Sequence, residues 1–279
     1  MITAILLIIA GYICGSLPFG VWVAASQGID ITKMGSGSTG ATNVYRCVGK
    51  KEGILVLLLD AFKGYAPVTA AIMLDHGSMA LSLPMGSLNF VLPDIVPCVV
   101  GAMSMIGHSK SMFLHFTGGK SAATGLGTIT ALNPAVGGLV FLSFISLVYF
   151  TRIVSIASMG AATLDVVFMA LFKAPPTFIG YAAFGGLIVI VRHKANIKRL
   201  LNGTEPRFGQ KSSGTTAEDA EQEVAAGQRF EAQASAGHDS AGTGTAPQDT
   251  ARQNSPPQTA PSQEAQSASH NPTDQVKPQ

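Results

Sequence analysis

Three stretches of the chain combine glycines, short hydroxyl side chains and cations, the chemistry that holds a phosphate-like anion. The first is GSGSTGATNVYRCVGKKEG, from Gly35 to Gly53. Gly35, Gly37 and Gly40 let the backbone take positive φ, so that successive amides point at one anion. Ser36, Ser38, Thr39, Thr42 and Asn43 add short donors, and Arg46 offers a planar fork suited to bidentate contact with phosphate. The competing explanation is a flexible loop whose arginine only marks one side of a membrane.

The second stretch, GHSKSMFLHFTGGKSAATG, runs from Gly107 to Gly125 and contains a GKS that resembles the end of a nucleotide-binding P-loop. That pattern requires glycine five residues before Gly119, and position 114 is leucine, so the nucleotide explanation falls. What remains is a Gly118-Gly119 turn followed by Lys120 and the expected start of a helix, an anion site through free amides and a lysine. His108 and His115 lack the carboxylate or cysteine company of a metal site, and His108 is assigned to substrate contact. The third stretch, VRHKANIKRLLNGTEPRFG, covers Val191 to Gly209. His193 and Asn196 lie three apart, on one helical face, and are expected to meet a substrate hydroxyl or phosphate. Glu205 reads as the structural counter-ion of the basic run Arg192, Lys194, Lys198 and Arg199. A shorter element, TRIVSIAS, brings Arg152, Ser155 and Ser158 to the start of an apolar run, with Ser155 assigned to substrate contact.

The elements that carry these stretches are membrane spans. Before about position 200 the chain has 13 Lys/Arg and 6 Asp/Glu, too few charges to coat a soluble domain of that size. Apolar runs long enough to cross hydrocarbon occur at 2–25, 53–74, 87–107, 128–150, 153–172 and 176–191. Residues 1–25 have no basic start, which favours a first span over a cleaved signal. Lys and Arg accumulate in 26–52, 108–120 and 192–199, all assigned to the cytoplasmic side. Six spans would strand the last basic segment outside. Parity therefore splits 121–150 at Asn133-Pro134, a helix-stopping pair, into a short span of about 12 residues and a second of about 16. Seven transmembrane helices are predicted, the short one about 18 Å long and opening in a protein-lined recess. Within the second span Asp60 and Lys63 are three apart and able to pair, either to hold helices together or to serve a site. Residues 210–279, rich in Ala, Gln, Ser and Thr, have too few apolar residues for a core and read as a disordered cytoplasmic tail after a 1–209 membrane domain. Cys14, Cys47 and Cys98 form neither a disulfide framework nor a metal spacing. No cofactor, metal or nucleic-acid partner is implied.

In order and spacing, GSGSTGATNVYR, GHSKSMFLHFTGGKSAATG, TRIVS and HKANIKRLLNGTE resemble the bacterial membrane glycerol-3-phosphate acyltransferases that use acyl phosphate, the PlsY family, over about residues 1–209. The resemblance implies an all-α, seven-helix enzyme of the bacterial inner membrane with cytoplasmic substrate-binding loops. It implies transfer of a fatty acyl group from acyl phosphate to the 1-hydroxyl of sn-glycerol 3-phosphate, giving lysophosphatidic acid and phosphate for phospholipid synthesis. The family's essential serine and arginine fall on Ser36 and Arg46, its glycine-rich loop on Gly118, Gly119 and Lys120, its last His and Asn on His193 and Asn196, and its structural Glu on Glu205. Three departures stand out. The family commonly has Asn where Ser38 stands, Pro at Ser111 and Gly-Val at Ser121-Ala122, changes expected to crowd the phosphate loop or loosen its entry. The alternative from another class is a polytopic transporter of a phosphorylated solute, for which Asp60, Lys63 and the broken 121–150 segment would supply a midplane site.

Overall fold

The computed structural model of the chain describes residues 2–75, 81–85, 88–92 and 94–209, and the expected tail from 210 onward lies outside them. Among these residues are ten α-helices and one short hairpin. The first apolar run makes two helices, α1 (Ile2–Ser16) and α2 (Phe19–Ala25), parted at Leu17-Pro18 because proline cannot donate to the preceding turn. α3 (Ala41–Cys47) is short, and α4 (Lys50–Asp75) is 26 residues long. An antiparallel hairpin follows, β1 (Leu81–Met85) with β2 (Leu88–Leu92), Leu81 facing Leu92 and Met85 facing Leu88. Then come α5 (Ile95–Ser109), α6 (Ala122–Leu132), α7 (Pro134–Thr151), α8 (Val154–Leu171), α9 (Pro176–Arg192) and α10 (Lys194–Leu201).

Two expectations are corrected here. The class is helical but not strictly all-α, since the hairpin occupies the start of the expected 87–107 run and leaves α5 only 15 residues. Leu92 precedes a proline, a position biased away from helix toward extended backbone. Part of the Gly35–Gly53 stretch, expected as loop, winds into α3. By contrast, the division at Asn133-Pro134 stands: Asn133 ends α6 and caps α7, its Oδ1 accepting from the Val136 amide at 3.1 Å, with Pro134 at the first helical position. Among the described residues four helical segments are long and apolar enough to cross a membrane (2–25, 50–74, 134–151 and 154–171), and a fifth if α9 and α10, bent by 58°, count as one. α5 and α6 are shorter apolar helices.

Helix–helix contacts rest on glycine. A Cβ on Gly127 of α6 would drive into the backbone of Ala61 on α4, and one on Gly64 of α4 would collide with Thr124 of α6. Small residues let backbones approach where lipid supplies no hydrophobic drive for association. The same close approach joins α1 to α5 through Gly15 and Gly107. The break at Leu17-Pro18 leaves carbonyls without helical donors, and the bundle supplies them. Lys63 Nζ donates to Leu17 O at 2.8 Å, and Ser111 Oγ donates to Ser16 O at 2.5 Å. Asp60 pairs with Lys63 at 2.8 Å, both buried, so this ion pair compensates a broken span from inside the bundle.

Candidate active site

One cavity gathers the polar stretches. Its mouth is lined by Ser36, Ser38, Gly40, Thr42, Asn43 and Arg46 from the first, His108, Lys120 and Ser121 from the second, and His193, Asn196, Arg199 and Glu205 from the third, with Ser155 from α8. Below the mouth it continues as an apolar groove between α6, α7, α8 and α9; mouth and groove together span about 1310 Å³ of non-atom space, open solvent included. Three cations at the mouth, Arg46, Lys120 and Arg199, share it with Glu205, while Asp60 faces it already paired to Lys63.

Four glycines expected to touch substrate do not line this cavity. Gly35 and Gly37 have φ of 57° and 66° and shape the turn that presents Ser36. A Cβ on Gly35 would meet Asn43 Oδ1 at 2.5 Å and Cys47 Sγ at 2.7 Å. Asn43 holds the turn from inside, its Oδ1 accepting from the Ser36 amide at 3.0 Å and its Nδ2 donating to Met34 O at 2.9 Å. Gly118 and Gly119 lie against the last turn of α5. Gly119 N donates to His108 O at 3.1 Å, and Arg192 grips both glycine carbonyls at 3.0–3.1 Å. That amide is therefore committed inside the protein, and the glycines serve as packing that aims Lys120.

The free amides belong instead to the start of α6. Ser121 occupies the N-cap position, where a serine ordinarily accepts from the first-turn amides. Here its hydroxyl turns away, 2.6 Å from both Met105 O and Ser109 Oγ, and makes no capping bond. Ala122 and Ala123 line the cavity beside Lys120, so the uncapped, dipole-positive end of α6 faces it. Ser121 φ is 60°, a conformation that favours glycine.

Lys120 has its pKa pushed down to about 8, first by burial and then by the charges of Arg199, Arg46 and Arg192, with Glu205 opposing. His193 is pushed down to about 4, chiefly by burial, with Lys120 and Arg192 adding to the shift and the Val189 carbonyl and Glu205 opposing it. His193 is therefore neutral near pH 7. Its Nδ1 lies 2.7 Å from Val189 O, an atom that can only accept, so Nδ1 carries the hydrogen and Nε2 keeps its lone pair. Asn196 Nδ2 donates to Glu205 Oε1 at 2.6 Å, and Oδ1 is buried without a donor among the described residues. His193 thus offers the cavity an acceptor, while Asn196 spends one of its two amide hydrogens on Glu205.

Glu205 joins the elements. Its Oε1 also accepts from Ser155 Oγ at 2.7 Å and its Oε2 from Arg199 Nε at 2.7 Å. Burial works to raise its pKa, but the bonds from Asn196, Ser155 and Arg199 outweigh it and hold the carboxyl below its ordinary value. The segment after it straps the mouth: Arg46 Nη2 donates to Pro206 O at 3.3 Å, and Phe208 stacks on Tyr45 with ring centroids 5.1 Å apart. Arg199 was read only as part of a basic run, yet it lies three residues beyond Asn196, the same step that separates Asn196 from His193. Arg192 and Asp60 were also not assigned to the site. The apolar groove had no local sequence signal, because its lining alternates with ordinary helix-packing residues.

Residues 5–203 match the family model described as glycerol-3-phosphate acyltransferase. The chain belongs to the glycerol-3-phosphate acyltransferase family. Relatives bearing that name include one from Rippkaea orientalis, 44% identical over 207 residues covering 74% of this chain and 93% of the relative, and one from Trichormus variabilis, 44% identical over 218 residues covering 76% and 95%. The crystal structure of PlsY (YgiH), an integral membrane glycerol 3-phosphate acyltransferase, in its glycerol 3-phosphate form is similar with a TM-score of 0.67 at 36% identity, covering 74% of this chain and 96% of that one. Its lysophosphatidic acid form gives 0.65 at 35% identity, covering 75% and 97%. The chain is thus an integral membrane acyltransferase of this family.

The departures from the glycerol-3-phosphate acyltransferase pattern now have physical readings. Ser111, where proline is common, does not loosen the loop: its hydroxyl ties to Ser16 O and accepts from Phe113 N at 3.2 Å, and its amide donates to Thr117 O at 3.0 Å. Ser38 Oγ accepts weakly from Gly40 N at 3.4 Å. Ser121 does not crowd the cavity, since its hydroxyl is absorbed by α5. Replacing Ser121 by glycine is expected to leave acyl transfer within about twofold, the lost buried hydrogen bonds being partly offset by relief of the left-handed backbone. Replacing it by alanine loses the bonds and keeps the strain, and is expected to lower stability by about 1–3 kcal/mol, read by thermal unfolding in detergent.

Proposed function

We propose that this chain transfers a fatty acyl group from acyl phosphate to the 1-hydroxyl of sn-glycerol 3-phosphate, giving lysophosphatidic acid and inorganic phosphate. The observation that carries this reading is a single cavity whose cationic mouth continues into an apolar groove between α6 and α9. A phosphorylated polar acceptor and an acyl-chain donor need those two surfaces joined. The segments α1–α2, α4, α5, α6, α7, α8 and α9 form seven crossings of a bacterial inner membrane, contacting lipid through exposed residues such as Phe62 and Leu142. The mouth and the tail after Gly209 face the cytoplasm, in keeping with the basic residues gathered there. Residues 1–209 form the catalytic membrane unit.

Ser36 and Arg46 hold the acceptor phosphate, assisted by the turn that Gly35, Gly37 and Asn43 shape and by Gly40 and Thr42. Lys120 and the first amides of α6 receive the donor phosphate, while Gly118, Gly119 and His108 fix the backbone that leads into them. His193 Nε2 accepts from a glycerol hydroxyl and aims the 1-oxygen at the acyl carbon, and Asn196 holds Glu205 beside it. That oxygen attacks the carbonyl carbon, the bond from acyl carbon to phosphate oxygen breaks, and phosphate leaves with the electron pair. Lys120 and the amides stabilise both the oxyanion and the departing phosphate. An acyl phosphate has a good leaving group, so no covalent enzyme intermediate is required. The hydroxyl proton goes to a phosphate oxygen, since phosphomonoesters have a second pKa near 6 and are better bases at pH 7 than a histidine held near 4. His193→Gln, which keeps an acceptor and removes the base, is expected to retain kcat within about tenfold. A loss of about 10³ or more would instead make His193 the base.

The ammonium of Lys120 is required, and burial brings its loss down from 10.5 to about 8. As pH rises through about 8, kcat/KM should fall, whereas an unshifted lysine would hold its charge to about 10.5. The limb in kcat should move to higher pH, because bound phosphate favours the ammonium. A pH–rate profile with both substrates checks this. The reading as a whole is tested with purified protein in detergent: phosphate release from acyl phosphate should require glycerol 3-phosphate, and solute uptake without phosphate release would mark a transporter instead.

A further inference from the structure

The apolar groove ends on an acid. The cavity-facing residues of α8 are Val154 and Ser155 at its start, then Ser158, Ala161, Ala162 and Asp165 at helical spacing, and none beyond Asp165 lines it. Ten residues separate Ser155 from Asp165, about 15 Å along the helix axis at 1.5 Å per residue. α8 and α9 run antiparallel, in contact where Gly186 meets the Ala162 carbonyl, which sets Tyr181 and Ala182 level with Asp165. Tyr181, with Ile129 of α6 and Val140 of α7, completes the deep end. The Tyr181 hydroxyl is already committed to Thr128 Oγ1 at 2.5 Å.

Asp165 is 6% exposed, and its Oδ1 is wholly buried with no hydrogen-bond donor among the described residues. A carboxyl inside a span is costly, and an unpaired one more so, while a leucine there would simply pack. Stability gives no reason for the acid. The cavity it faces does.

We propose that Asp165 is a specificity-determining residue for the acyl chain: the floor of the groove takes a chain with a hydroxyl near its distal end in preference to a plain alkyl chain of the same length. The hydroxyl donates to the carboxyl, whereas an alkyl end leaves it desolvated and unpaired. This rests on the groove being the acyl-donor site.

The test uses the purified full chain, glycerol 3-phosphate and acyl phosphates in matched pairs, saturated and ω-hydroxylated, across a series of lengths. At the length that reaches the floor, the hydroxylated donor should exceed its saturated partner in kcat/KM by about tenfold. Asp165→Leu should abolish or reverse that ratio, and Asp165→Asn, which keeps an acceptor, should retain part of it. A short donor that stops above Asp165 should turn over equally in all three proteins. A ratio in the unaltered protein at or below one for every length overturns the proposal without any variant, and so does an equal preference in Asp165→Leu while the short donor is turned over normally. Failure of every acyl phosphate, the short one included, overturns the acyl-donor reading itself, and this proposal with it.

Discussion

Replacing Lys120 by alanine is expected to lower kcat for acyl transfer by about 10³-fold, the scale of losing a principal donor to a developing oxyanion. Lys120 extends into the cavity from the turn that Arg192 clamps, beside the uncapped start of α6. Those amides remain when the side chain is cut, so some rate should survive, and KM for glycerol 3-phosphate should change much less than kcat. The loss is chemical rather than structural, because removing a buried ammonium held among arginines relieves repulsion. The variant should therefore unfold at no lower temperature than the unaltered protein. Steady-state kinetics in both substrates, with a thermal melt, separates these effects.

Arg46→Ala is expected to act on the other substrate. Its guanidinium lines the mouth next to Ser36 and is anchored by one bond to Pro206 O at 3.3 Å, which leaves most of its fork for phosphate. Losing a bidentate charge-assisted contact should raise KM for glycerol 3-phosphate by about 10²-fold and leave KM for the acyl donor nearly unchanged. Arg46→Lys should recover only a minor part, since a point charge does not reproduce the fork. If both Lys120→Ala and Arg46→Ala kept near-normal activity, the assignment of this cavity would be wrong.

Much of the arrangement is legible in the sequence because it follows from local chemistry. Asn133-Pro134 announces the short α6, since one residue ends a helix and the other can only begin one. Lys120, Arg46, His193, Asn196 and Glu205 stand in stretches whose glycines and hydroxyls have no use in a lipid-facing helix, and the structure brings all five to one mouth. What was not legible depends on direction. Ser121 has the sequence signature of a helix cap, yet its hydroxyl points into α5, and only the packing of Met105 and Ser109 decides that. Gly118 and Gly119 look like an anion cradle, but the Gly119 amide is spent on His108 O, and Arg192, 73 residues on, takes the Gly119 carbonyl. His193 looks like a donor until Val189 O takes its hydrogen, and Asn196 spends one of its two amide hydrogens on Glu205. The break at Leu17-Pro18 was hidden in an apolar run, and the lysine that repairs it, Lys63, could be recognised as paired but not as a donor to that carbonyl. Asp165 carried no motif at all. It became visible only as the last residue of a stripe whose other members are small.

The central claim is that one cavity joins a phosphate-binding mouth to an acyl groove and couples them in a single transfer. The direct measurement follows phosphate and lysophosphatidic acid together in one reaction of purified protein, acyl phosphate and glycerol 3-phosphate. The account predicts equal amounts of both products, neither formed without glycerol 3-phosphate, and both lost together in Lys120→Ala. Phosphate released at the same rate without the acceptor, or equal production of both by Lys120→Ala, would contradict it.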